Sequence, residues 1–90
     1  MEPTAHVYSQ IGMIHAKRAQ WPEALEALAA AERIDPNYAV TYVYKGGVRL
    51  ATNDPVAAVA DFQRALAVDP TLQQARQGLA QAQAALRGAH

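Results

Sequence analysis

Residues 27–36 read ALAAAERIDP, and residues 61–70 read DFQRALAVDP. Both stretches end on Asp-Pro after a run of good helix formers. Proline bars the helical conformation at the residue before it, so Pro36 and Pro70 each close a helix. The two stretches lie 34 residues apart, and the same shift brings other positions into register. Tyr8 falls on Tyr42, Gly12 on Gly46, Ala24 on Ala58 and Ala31 on Ala65. Leu28 falls on Phe62, also large and apolar. One fixed offset shared by so many positions marks an internal repeat.

A second stop lies inside each unit. Trp21-Pro22 and Asp54-Pro55 place a proline where a new helix can start, because the first turn has no use for that N–H. Asp54 can also cap the donors that follow it. Each unit is therefore two helices of about a dozen residues, roughly 20 Å long, joined by a short turn. Tyr8, Ile11 and Gly12 on the first helix, and Leu25, Leu28 and Ala31 on the second, recur at helical spacing. Gly12, Gly46, Ala24 and Ala58 are small residues in mid-helix, where glycine costs up to about 1 kcal/mol against alanine. Their shared register argues for close approach of paired backbones rather than for helix breaks. After Pro70, Leu72, Ala75, Leu79, Ala82 and Leu86 mark one amphipathic helix, with Gln73, Gln74, Gln77, Gln81 and Gln83 elsewhere around it. Gly88 is a natural stop. The polar remainder suits a terminal helix that shields the last unit from water.

The pattern Tyr8-x-x-Ile11-Gly12, Ala24, Leu28, Ala31, Pro36 resembles the tetratricopeptide repeat, and Tyr42, Gly46, Ala58, Phe62, Ala65 and Pro70 follow it again. The resemblance covers residues 5–72, with the closing helix after them. It implies an all-α solenoid of antiparallel helix hairpins. A single domain, 1–90, would then hold a first repeat at 5–38, a second at 39–72 and a capping helix at 71–87. Helices are expected at 5–19, 22–34, 39–52, 55–68 and 71–87. His15 and Arg49 depart from the family pattern, standing where it often has an aromatic residue. Lys45 replaces the aliphatic of Ile11, and Pro55 sits where Trp21 supplies an aromatic. These changes are expected to weaken local packing in the second unit.

Composition excludes several classes of function. Lys plus Arg equals Asp plus Glu, so the formal net charge is zero. Nucleic-acid binding, which calls for a basic excess on one face, is not expected. The chain has no cysteine, hence no disulfide and no thiolate metal site. The start, Met1-Glu2-Pro3-Thr4, carries no basic segment and no apolar core of a signal peptide, which leaves a cytoplasmic location as the expectation. No apolar run approaches the roughly 20 residues that span a bilayer, and no membrane association is expected.

The resemblance implies that a peptide or helix lies along the concave face formed by the first helix of each unit. By register that face holds His6, Ser9, Gln10, Met13 and Lys17, then Val40, Val43, Tyr44, Gly47, Leu50 and Ala51. The second set is largely apolar, and an apolar patch left on a surface marks an interaction site. Packing of Val40, Val43 and Tyr44 on a neighbouring helix is the alternative. Some family members clamp a terminal carboxylate with Lys, Asn and Arg; Ser9, Met13, Val40, Tyr44 and Gly47 occupy those positions here, so that clamp is absent. The first helices and the closing helix carry Lys17, Arg18, Lys45, Arg49, Arg76 and Arg87 without an acid, which favours an acidic partner segment. His6 and His15 do not share a helical face at metal-ligand spacing, and His90 is terminal. His15 is expected to be a partly buried packing residue and His6 a solvated one. No catalytic constellation and no cofactor site is expected.

The reading is thus a protein-interaction module. The rival is a structural role. Two repeats fall below the roughly three that bury a continuous core, so the chain would be a piece of a longer array or pair with a second copy. Self-association is expected from the open first hairpin.

Overall fold

The computed structural model describes residues 3–88; Met1, Glu2, Ala89 and His90 lie outside them. Five helices follow one another: α1 (Ala5–Lys17), α2 (Trp21–Ile34), α3 (Ala39–Ala51), α4 (Pro55–Val68) and α5 (Gln73–Gly88), with no strand among the described residues. They pack as sequential antiparallel pairs, α1 on α2, α3 on α4 and α5 on α4. Contacts of α1 and α2 with α3, and of α3 with α5, join the pairs side by side.

Local chemistry sets the ends. The Thr4 side chain accepts from the Val7 N–H at 3.2 Å, and Asp54 accepts from Ala57 at 3.2 Å. Pro22 and Pro55 lie in first turns, where their missing donors cost nothing. α1 stops two residues earlier than its spacing suggests. Ala19 takes φ 56°, and the Gln20 N–H closes on the His15 carbonyl at 2.9 Å. Asn53 takes φ 62°, and Asp54 closes on Arg49 at 2.8 Å. Both are left-handed helix stops of the kind glycine usually supplies. An alanine at such a stop leaves no signature in the sequence. At the other turns, the Asp35 carboxylate accepts from the Asn37 N–H and the Asp69 carboxylate from the Thr71 N–H, each at 3.0 Å. Because Thr71 is held by Asp69, α5 begins at Gln73 rather than at residue 71.

The core sits where small residues let large ones in. A Cβ on Gly12 would lie 2.7 Å from Leu28 Cγ. On Gly46 it would lie 2.6 Å from Phe62 Cζ, and on Gly78 2.2 Å from Phe62 Cε1. The Phe62 ring therefore fills notches in two helices at once, α3 and α5, while Ala58 and Ala82 pack around it. The expected stripe of α5 holds in most of its length: Ala75 and Ala82 are buried, and Leu72 and Leu79 pack half-buried against the core. Leu86 is exposed, and Gly78 joins the buried face.

α3 is covered on two sides. Val48 packs on Ala24 and Leu28, while Tyr42 packs on Ala65 and Ala75. The Tyr42 hydroxyl donates to the Pro36 carbonyl at 2.7 Å, and the Arg64 guanidinium lies 4.4 Å from the centre of its ring. Gly46→Leu should destabilise the fold by about 1–3 kcal/mol or more, because the added atoms meet a buried ring. Ala58→Leu should behave alike. Urea denaturation of both variants tests this; unchanged midpoints would mean that these positions are not close-packed.

Candidate protein-binding groove

A concave hollow of about 440 Å³ runs across α1, α3 and α5. One wall is Met13 and Lys17 of α1. Tyr44, Gly47 and Ala51 of α3 form the middle, and Gln74, Gln77 and Gln81 of α5 form the far wall. Val43, Leu50 and Phe62 contribute apolar surface beneath. Seven of the residues read from the sequence thus come together: Met13, Lys17, Val43, Tyr44, Gly47, Leu50 and Ala51.

The other four do not line the hollow. Ser9 is fully buried, and its hydroxyl meets that of Thr41 at 2.8 Å between α1 and α3. A residue so enclosed cannot touch a ligand, so Ser9 is a packing residue and not a groove residue. His6 is exposed beside the groove, with Nδ1 2.8 Å from the Tyr38 hydroxyl and the two rings edge to face. Gln10 and Val40 are half-buried outside the lining. His15 is half-buried, with Nδ1 2.8 Å from the Gln20 side-chain oxygen. Helical geometry sets Ser9 apart, since adjacent side chains are about 100° apart. Positions 6, 13 and 17 on α1 point one way, with His6 beyond the end of the hollow, whereas position 9 points toward the next helix.

Within the groove, Val43 and Leu50 also pack into the core around Phe62, and Tyr44 packs on the cluster of Ala24, Leu28 and Val48. Each is half-buried and leaves one edge to solvent. Gly47 differs from the three glycines of the core: a Cβ there would have nothing within 4 Å. The fold makes no use of its missing side chain, yet glycine in mid-helix costs up to about 1 kcal/mol against alanine. The glutamine wall was not read from the sequence as a site. Gln74, Gln77 and Gln81 stand 34 residues after Val40, Val43 and Gly47, a signal that was present in the register.

The charges fall elsewhere. Lys45 Nζ donates to Glu32 at 2.9 Å, and Arg64 lies 3.5 Å from the same carboxylate. Arg49 Nε lies 3.8 Å from Asp61 Oδ2, both atoms buried and neither hydrogen-bonded. Lys45 and Arg49 therefore serve ion pairs rather than a ligand, and Lys17 is the one cation lining the groove among the described residues. The Lys45 hydrogen bond is the main cause that lowers the Glu32 pKa below its ordinary 4.5, and burial is the main cause that raises the Asp61 pKa above its ordinary 3.8. Among the described residues no group of three or more His, Asp or Glu side chains is placed to hold a metal ion, and none of their helices is long and apolar enough to cross a membrane. A scan against protein-family models finds no match for the chain, and a search of curated proteins finds none.

The two carboxyls carry opposite pH signs. A folded pKa that is lowered, as at Glu32, contributes stability above the unfolded pKa and loses it as pH falls through the folded one. A raised pKa, as at Asp61, favours the protonated folded form, so stability falls as pH rises through the window above 3.8. Glu32→Gln should therefore cost a few tenths to about 1 kcal/mol at pH ~7, a partly exposed pair being worth no more. Denaturation midpoints of the two proteins should converge as pH drops well below 4.5. A gap that persisted in acid would mean that the ion pairs are not its source.

Proposed function

We propose that this chain is a tetratricopeptide-type protein-interaction module whose groove holds a peptide or helix of another protein by apolar anchors, without catalysis. The 34-residue register of the sequence supports the repeat assignment. So do the paired left-handed stops at Ala19 and Asn53 and the paired Asp turns at Asp35 and Asp69.

The observation that carries the binding role is Gly47 beside Tyr44. An unneeded helical glycine keeps the floor of the groove open next to a half-buried aromatic edge. Aromatic side chains in such settings are common binding anchors. The amides of Gln74, Gln77 and Gln81 each offer donors and acceptors, which suits the main chain of a bound segment. Lys17 at the rim gives an acidic residue of that segment a place. A partner with one or two large apolar side chains, adjacent polar backbone and an acid at one end fits this surface.

Selection of a displayed peptide library on the immobilised chain tests the reading. Enriched peptides should share spaced apolar anchors. Tyr44→Ala should weaken their binding by about 2 kcal/mol, roughly 30-fold, with the helical signal unchanged. Gly47→Leu should block the groove while leaving the fold intact, because the position faces open space. Peptides that bind both variants as tightly as the parent protein would remove the groove from the account.

A further inference from the structure

Val7, Ile11 and Ile14 form one stripe along α1, and they are 42%, 37% and 48% exposed. The residues 34 positions on are Thr41, Lys45 and Val48. There, Thr41 and Val48 are closed off at 0% and 2% by α1 and α2. A further 34 positions on, Ala75, Leu79 and Ala82 are covered by α3 and α4. The same stripe is thus covered in α3 and α5, with Lys45 and Leu79 half-buried at its middle, and bare in α1. Beside it lies a hollow of about 390 Å³ between α1 and α2, floored by Ala27 and Ala30. In the second pair the matching positions carry Asp61 and Arg64, which face Arg49 and Glu32.

We propose that a second copy of this chain covers this face, forming a two-fold dimer. A two-fold interface sets the same patch against itself, so each half must carry what the other needs. This face does. With α1 antiparallel to its mate about the point between Gln10 and Ile11, Val7 meets Ile14 of the second copy and the two Ile11 side chains lie one residue's rise apart. Gly12 packs on Leu28, so the middle of α2 lies level with Ile11. The same axis then sets α2 antiparallel to its mate near Ala30. Glu26, exposed on one side of that point, meets Arg33 of the second copy, exposed on the other. Apolar surface and opposite charges are matched by one rotation. A formal net charge of zero adds no long-range repulsion between copies.

The surface faces away from the groove, so the dimer and the binding role stand or fall separately. Sedimentation equilibrium of the 90-residue chain, from micromolar to about 1 mM, should show the mass rising from 9.7 kDa toward twice that value. Ile11→Asp should remain monomeric throughout with its helical signal intact, and it should still bind groove-selected peptides. Val56→Asp, at a 68% exposed position on α4, should dimerise like the parent. Glu26→Arg should weaken dimerisation about tenfold, since the pair occurs twice, and adding Arg33→Glu should restore it. A mass that stays at 9.7 kDa to about 1 mM would overturn the proposal, as would a dimer that Ile11→Asp leaves unchanged. Failure of the charge exchange to restore association would overturn the two-fold geometry.

Discussion

The Phe62 ring is held between two helices that can approach it only because neither has a side chain at the point of contact. A Cβ on either Gly46 or Gly78 would come within 2.6 Å of the ring. Protein interiors are packed at crystal-like density, so such a fit fixes relative positions tightly. Here it fixes α3, α4 and α5 at one place. The groove depends on that fixing, because its far wall is the glutamine face of α5 and its floor includes Phe62 itself. α1 and α2 use the same device once, with Leu28 against Gly12, and no second glycine is needed on that side.

The second pair carries charges where the first carries apolar residues and a histidine. Ile11, His15, Ala27 and Ala30 in the first pair correspond by register to Lys45, Arg49, Asp61 and Arg64 in the second. Taken alone, Lys45 and Arg49 look like defects in an apolar pattern. They pair with Glu32 and Asp61, and Arg64 adds a guanidinium over the Tyr42 ring. The contacts of Lys45 and Arg64 with Glu32 add polar links across the boundary between the pairs, beside the packing of Val48 on Ala24 and Leu28. The Arg49–Asp61 contact is the costly part, since burial without a hydrogen bond offsets much of its attraction. The first pair lacks these long side chains and keeps an open apolar face.

The elements were legible because proline and periodicity are local signals. Pro22, Pro36, Pro55 and Pro70 punctuate the chain, and all five helices lie within two residues of where the pattern puts them. The end of α1 was not legible, because Ala19 makes a turn that its residue type does not announce. The groove was legible in part. Tyr44, Gly47 and Met13 follow from one helical direction, whereas Ser9 lies a fraction of a turn away and is consumed by contact with Thr41. Gln74, Gln77 and Gln81 were read as a solvated face, since glutamine carries no signature of a wall until a neighbouring helix gives it one. Gly78 carries no sequence signal for a related reason: its use depends on Phe62, a residue 16 positions away in another helix.

Groove and bare stripe lie on different sides of α1, so one short chain presents two distinct surfaces on a frame set by Phe62. Amide hydrogen exchange of Gly78→Ala tests that frame most directly. Alanine is the better helix former by about 1 kcal/mol, so propensity alone would strengthen α5. A Cβ at this position would come 2.2 Å from a ring that is 3% exposed, so the ring or α5 must shift. Exchange should be faster throughout α5, with protection in α1 and α2 largely kept. Unchanged or slower exchange in α5 would contradict that frame.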